Sequence, residues 1–384
     1  MMTGLPEFAP PPAIAGETEL RAEVRAFLDE ALADRPLRER AQSWAGHDVD
    51  FSRRLGQRGW IGMTWPKRYG GHERSALERF VVIEELLAAG APVSAHWTAD
   101  RQFGPLLLAV GTEEQRREVL PRIAAGECRV AIGLSEPNAG SDLASVRTRA
   151  EPVDGGFVIN GTKIWTSLAN SAHYLMLLCR TDGGPDDRHR GLSQLMIDLS
   201  TPGIEINPIS DMTGARHFNE VVFTDVFVPG TALVGVRGAG WTQAMGELAY
   251  ERSGPERFLS SFVLYRALVE RIRATGDEEG LRVIGRYASH FAHLRRLSLS
   301  IAGMLDRGEN ASLQAAFVKD LGATLEQEIV EAARPWLSAF PARDGDDEFA
   351  AILATTLVHA PSFSIRGGTR EILRGMIAKG LGAR

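Results

Sequence analysis

Apolar side chains recur at helical spacing in the first third of the chain, gather into short runs in the middle, and return to helical spacing to the end. Near the start, Thr18-Glu19-Leu20-Arg21 followed by Val24, Phe27, Leu28 and Leu32 predicts an amphipathic helix capped at Thr18. Residues 75–89 and 112–125 predict two more. In the second, Thr112 is the cap, and Glu113 and Glu114 lie in the first turn, where carboxylates match the helix dipole. Residues 1–16, with Pro10-Pro11-Pro12, cannot form a regular helix and read as a flexible or extended arm.

Around Cys128 the period shortens. Residues 157–159, 163–166, 174–179, 192–199, 204–209 and 221–228 read as short strands. Asp154-Gly155-Gly156, Asn160-Gly161 and Gly183-Gly184-Pro185 separate them, and Asn160-Gly161 predicts a hairpin turn. Such closely spaced strands predict a small antiparallel barrel or sandwich. After Gly240, residues 241–275, 281–307, 313–338, 349–358 and 369–378 predict a bundle of long helices, with a polar loop at 342–347. No internal repeat is visible. The fold class is therefore α+β, in three sections: an N-terminal helical domain over 1–128, a middle β domain over 129–236 and a C-terminal helical bundle over 237–384.

Composition narrows the function. The 384 residues carry 43 Lys and Arg against 49 Asp and Glu, a net charge of −6, which argues against nucleic acid as the main partner. Hydrophobic residues at 44% and charged residues at 24% exclude disorder of the whole chain. No apolar run approaches the ~18 residues of a membrane span, and the start lacks the pattern of a signal peptide. Cys128 and Cys179 are the two cysteines, so a disulfide framework and a cysteine-built metal site are both out, and a cytoplasmic setting fits. The histidines show no metal-ligand spacing with acids; His290 and His293 on one helix read as surface residues, and no metal is expected.

Four stretches could carry chemistry. Gly133-Leu134-Ser135-Glu136-Pro137-Asn138-Ala139-Gly140-Ser141-Asp142 follows a mostly apolar strand and can present backbone N–H groups and hydroxyls to a polar ligand. An ordinary turn-rich loop has the same composition. Lys163-Ile164-Trp165-Thr166-Ser167 could stack an indole on a flat ring while a hydroxyl meets the ring's edge; a core Trp beside strand-forming Thr is the plainer reading. Tyr250-Glu251-Arg252 follows an apolar helical stretch, where a carboxylate acquires the basicity a general base needs, or simply pairs with an Arg. Gly367-Gly368-Thr369-Arg370-Glu371 makes a capped helix start that can also accept an anion or a carbonyl. Neither a Gly-x-Gly-x-x-Gly after a strand nor a Walker A sequence is present.

Taken together, these stretches resemble the acyl-CoA dehydrogenase family over nearly the full length. The resemblance is carried by Gly59-Trp60-Ile61-Gly62 with Trp65-Pro66-Lys67-Arg68-Tyr69-Gly70-Gly71, and by Gly111-Thr112-Glu113-Glu114-Gln115 through Leu120-Pro121 to Gly126-Glu127. It is carried further by Leu134-Ser135-Glu136-Pro137 with Ala139-Gly140-Ser141-Asp142, and by Asn160-Gly161-x-Lys163-x-Trp165. It implies FAD held between the β domain and the C-terminal helices. It also implies a glutamate that takes the α-proton of an acyl-CoA thioester, hydride transfer from the β-carbon to flavin N5, and an electron-transferring flavoprotein as acceptor. By resemblance, Leu134, Ser135, Gly140 and Ser141 contact flavin or the pantetheine arm, and Trp165, Thr166 and Ser167 line the flavin ring. Thr369 and Glu371 belong to the C-terminal flavin-contacting segment, and Ser141 and Arg252 to the substrate's contacts.

Two departures from the family pattern matter. Where many members carry the base in Tyr-Glu-Gly-Thr, this chain has Arg366-Gly367-Gly368-Thr369, so Gly367 stands in the place of the acid. Other members carry it on an early helix of the C-terminal domain just before an Arg, as Glu251-Arg252 does here, which makes Glu251 the expected base. The Arg-x-x-Phe-Gly and Gln-x-x-Gly-Gly segments that reach a neighbouring subunit's flavin have no clear counterpart. Similar losses mark the actinobacterial-type enzymes that pair two different subunits and act on steroid side-chain thioesters. The resemblance thus implies a homo-oligomer or a heteromer with a related subunit. A flavin monooxygenase or oxidase on the same fold, and a non-catalytic partner subunit, are the alternatives.

Overall fold

The structure is a computed structural model that describes residues 6–42, 45–252, 254–337 and 347–383; the side chains of 185 and 247–251 lie outside the description as well. The polar loop expected at 342–347 falls outside it except for Asp347. Helices α1 (Glu17–Ala31), α2 (Leu37–Arg40), α3 (Val49–Gln57), α4 (Ala76–Ala88), α5 (Ser94–Thr98), α6 (Gly104–Val110) and α7 (Glu113–Ala124) come first. Strands β1 (Val130–Gly133), β2 (Arg149–Val153), β3 (Gly156–Ser167), β4 (Tyr174–Arg180), β5 (Leu192–Asp198), β6 (Ile204–Ile209), β7 (Phe218–Pro229) and β8 (Leu233–Val234) follow. The chain ends in α8 (Gly240–Glu251), α9 (Phe262–Thr275), α10 (Glu278–Asp306), α11 (Ser312–Ala333), α12 (Glu348–Phe363) and α13 (Arg370–Gly380). The described residues form two compact units that do not follow chain order: 1–48, 74–94 and 249–384 in one, 49–73 and 95–248 in the other.

In the helical unit, α1 buries Leu20, Val24, Phe27 and Leu28 and packs on α4. It starts earlier than its expected Thr18 cap: Gly16 is the N-cap, at φ 68°. Glu17 thereby joins the first turn, where its carboxylate accepts from Arg21 at 2.7 Å. Arg21 also pairs with Glu84 at 2.6 Å and Glu85 at 2.5 Å, tying α1 to α4. The helical stretch expected over 241–275 is broken into α8 and α9. Pro255 cannot continue a helix, and Pro255–Arg257 forms a 3-10 turn instead. That turn sits tightly against α11, since a Cβ on Gly322 would lie 1.9 Å from the Arg257 carbonyl oxygen.

The second unit holds one eight-stranded sheet in the order β6-β7-β3-β2-β4-β5-β8, with β1 paired to β4. It is mostly antiparallel, but β1–β4 and β2–β4 are parallel pairings. Phe157, Ile159, Leu175, Leu177, Leu195, Ile197, Val221 and Phe223 form its core. Asn160-Gly161 is not the hairpin turn expected from sequence. The turn is Asp154-Gly155, between paired Val153 and Gly156, and β3 runs unbroken through Asn160. There the extra residue of a bulge lies on β7: Asp225 adopts φ 49°, and its backbone N–H donates to Asn160 Oδ1 at 2.9 Å. The apolar run on both sides keeps β3 in the sheet, so the Asn-Gly pair is absorbed as an irregularity. Among the described residues no helix is long and apolar enough to cross a membrane.

Replacing Gly322 by Ala should cost roughly 1–3 kcal/mol, the range for overpacking a close contact. Urea unfolding of the two proteins checks it; equal midpoints would mean that the turn at Pro255–Arg257 yields freely.

Candidate active site

The loop after β1 is built around a buried acid. Glu136 closes a tight turn by exchanging backbone hydrogen bonds with Ala139, at 2.9 and 3.0 Å. Its carboxylate accepts from the backbone N–H of Arg147 at 2.7 Å, from that of Thr148 at 2.8 Å and from Lys163 Nζ at 2.8 Å. Lys163 is 0% exposed and donates also to the Leu134 carbonyl at 2.9 Å. One residue on, Ile164 N–H donates to the Ser135 carbonyl at 3.0 Å. Burial alone would raise the Glu136 pKa, but the Lys163 ammonium and the surrounding donors outweigh it and hold the carboxyl below its usual value of 4.5. The alternation along β3 already turns Lys163 to the same inward face as Phe157 and Ile159. An inward Lys in a strand was the available signal for this pair, and sequence reading missed its role.

Just past Lys163 the strand bulges. Lys163 pairs with Val221 and Thr166 with Asn219, so β3 carries one residue too many there. Trp165 takes it up in a left-handed conformation, φ 61°, and is 57% exposed, with Phe218 edge-on at 6.0 Å. A Trp thrown outward by a strained backbone is not the core Trp of the plainer reading. Thr166 points the other way and is buried, and its Oγ1 has no hydrogen-bond partner. Its carbonyl accepts from Asn219 Nδ2 at 3.1 Å. The exposed indole offers a stacking face for a flat ring, the form of the expected flavin, while the Thr166 hydroxyl on the opposite side of the strand is buried without a partner. Leu134, Ser135, Trp165, Thr166 and Ser167 are thus brought together. Gly140 and Ser141 lie further along the loop, both exposed, beside the Asp142–Arg188 ion pair at 2.6 Å.

The remaining expected residues belong to the helical unit. Glu251 ends α8, and its side chain is outside the description. Arg252 is buried; its Nε donates to the Gly367 carbonyl at 2.8 Å and Nη1 contacts Met376 Sδ at 3.3 Å. A Cβ on Gly368, where φ is 101°, would come within 3.1 Å of the same guanidinium. Arg366 braces the turn from its other end, bonding Ser260 Oγ, the Glu256 carbonyl at 3.3 Å and the fully buried Glu326 carboxylate at 3.1 Å. Thr369 caps α13 as expected, accepting from Ile372 N–H at 3.5 Å. Glu371 is exposed; its own backbone N–H and the Thr369 hydroxyl hold its carboxyl below the ordinary range. The bracing role of Arg366 and Glu326 was also missed, although Glu326 lies on the buried face of α11 with Ala323 and Ile329.

Comparison with known proteins gives concordant matches along the chain. Residues 15–127 match the acyl-CoA dehydrogenase N-terminal domain, residues 131–226 its middle domain and residues 238–382 its C-terminal domain. Acyl-CoA dehydrogenase IpdE1 of Mycobacterium tuberculosis is 34% identical over 375 residues, 94% of this chain and 96% of the relative. Among solved structures, the Tcur3481-Tcur3483 steroid ACAD superposes with a TM-score of 0.86 at 30% identity, over 97% of this chain and 99% of its own. The ChsE4-ChsE5 complex of Mycobacterium tuberculosis gives 0.82 at 28%, over 97% and 99%.

Lys163→Met should cost about 3–5 kcal/mol at pH 7, because it strands the Glu136 charge. The sign with pH follows from the lowered Glu136 pKa. The stability it supplies is complete above 4.5 and fades as pH falls through the folded value. The gap between wild type and variant should therefore shrink in urea titrations at acid pH, and a gap that widens there would contradict an ionised Glu136.

Proposed function

The chain belongs to the acyl-CoA dehydrogenase family, and from that premise we propose that it desaturates an acyl-CoA thioester to a trans-2-enoyl-CoA, with Glu251 as the base. The observation that carries this reading is the bond from Arg252 to the Gly367 carbonyl. Gly367 stands where many relatives keep their glutamate, and the residue next to Glu251 is bonded to it. The residue that follows α8 is thereby tied to the backbone of that segment.

Members of this family are FAD-dependent flavoproteins. When bound, FAD supplies the acceptor for the hydride that leaves the β-carbon. On this chain, Leu134, Ser135, Gly140, Ser141, Trp165, Thr166, Ser167, Thr369 and Glu371 would hold it. The exposed Trp165 face offers a stacking surface, and the buried Thr166 hydroxyl has no protein partner. Glu251 takes the α-proton as the general base. Ser141, exposed on its loop, meets the pantetheine arm. Arg252, expected to touch substrate, has bonds to Gly367 and Met376 that suit it better to positioning Glu251 and the turn.

Two further readings follow from the relatives. The Tcur3481-Tcur3483 and ChsE4-ChsE5 structures are, by name, pairs of proteins, and this chain lacks the family segments that reach a neighbour's flavin. We infer an assembly with a second chain, identical or related, and an electron-transferring flavoprotein as acceptor. The steroid named for the first of these structures makes steroid side-chain thioesters the leading substrate class, to be tested against short, branched and long acyl chains.

Glu251→Gln keeps size and removes basicity. It should retain FAD and lower turnover by roughly 10²–10⁴-fold, the worth of a positioned general base. Anaerobic bleaching of the flavin by an acyl-CoA reads the step directly, and a flavin-loaded variant bleaching at the wild-type rate removes Glu251 from the mechanism. The flavin itself should be held without a covalent link and travel with a dimer or larger species in size-exclusion chromatography. Denaturation should then release it to the supernatant. Colour remaining on the denatured chain, or a flavin-loaded monomer, would refute this.

A further inference from the structure

A second concave site lies wholly within the helical unit, a cavity of about 930 Å³ among α1, α4, the start of α9 and the middle of α10. That is the size of a pocket for a drug-sized ligand. Its apolar lining comes from Leu28 and Leu32 of α1 and the turn after it, Phe258 just before α9, Phe262 at its start and Phe291 on α10. Five arginines, Arg21, Arg25, Arg40, Arg266 and Arg295, line it against three carboxylates, Asp29, Glu84 and Glu85.

The arginines are not equivalent. Arg21, Arg25 and Arg295 are paired with α4: Arg21 meets Glu84 and Glu85, Arg25 meets Glu85 at 2.8 Å and Arg295 meets Glu84 at 2.7 Å. Arg40 and Arg266 have no ion-pair partner among the described residues. Arg40 is half-buried and donates through Nε to the Ala89 carbonyl at 2.6 Å. Burial, with Arg266 nearby, holds its pKa below the ordinary arginine value, while Asp29 and Glu348 act on it only from a distance. Two guanidinium groups without an ion-pair partner among the described residues thus line one cavity, with the Asp29 carboxylate also in its wall. Such a pair gains from an anionic head, and the walls gain from an apolar body.

We propose that this cavity is a binding site, separate from the candidate active site, for an amphiphilic anion: an acyl-sized or polycyclic apolar body ending in a carboxylate or a phosphate. Arg40 and Arg266 hold the head, and the three phenylalanines hold the body. The proposal does not rest on the dehydrogenase reading.

Isothermal titration of the FAD-loaded full chain with decanoate, decyl phosphate, decanol and decylamine tests it. Either anion should bind saturably and at least tenfold tighter than decanol, with decylamine weaker still; the tighter anion identifies the head group. Arg40→Gln and Arg266→Glu should each weaken the anion at least tenfold while FAD content stays unchanged. Arg266 is exposed, so its variant serves if Arg40→Gln fails to fold. Equal binding of decanol and the anions, unchanged affinity in Arg266→Glu, or no saturable binding of either anion would overturn the site.

Discussion

The candidate site hangs on one buried ion pair, Lys163 with Glu136. Taking both charges out of water is costly, and their attraction offsets that only when every remaining donor and acceptor is used. Here they are used: two backbone N–H groups complete the carboxylate, and the Leu134 carbonyl takes a further ammonium hydrogen. The consequence is positional. A ten-residue loop of glycine, proline and small polar residues has little of its own to hold a shape, and the pair fixes its first half to β3.

The same anchor explains how the strand tolerates its bulge. A non-glycine residue in the left-handed region costs about 1–2 kcal/mol, and both Trp165 and Leu168 are there. Strain of this kind persists only where the surroundings over-determine it. Lys163 is pinned on one side of Trp165, and Asn219 holds the Thr166 carbonyl on the other. Between two fixed points the extra residue has nowhere to go but outward, so the indole is displayed and the next hydroxyl is buried.

Legibility in the sequence followed the range of the forces involved. Capping is local, and Thr112 and Thr369 can be read directly and cap their helices, whereas Thr18, read the same way, lies inside α1 behind Gly16. Alternation is local too, and the strands lie close to where it placed them. Asn160-Gly161 misled because a turn signal competes with a long partner strand, and β7 offered bonds on both sides. The break at Pro255 was visible as a residue type but was overruled by the apolar run around it. Buried charges were the least legible. The face a residue takes can be read locally, as for Lys163 on β3, but which partner 27 to 40 residues away neutralises Lys163 or Glu326 is not encoded by any local pattern.

The absence of an acid at Gly367 is best understood through its neighbours rather than as a loss. Gly367 and Gly368 both have positive φ, 67° and 101°, where a glutamate would be strained. The Gly367 carbonyl is taken by Arg252, and the space beside Gly368 is taken by the same guanidinium. Arg366, with Glu326 behind it, closes the turn from its other end. Restoring a side chain at Gly367 would therefore strain the backbone, and filling Gly368 would crowd the arginine beside the end of α8. A side chain at either glycine meets an obstacle in the backbone or in Arg252, which is the structural ground for placing the proposed base at the end of α8 and not in this turn.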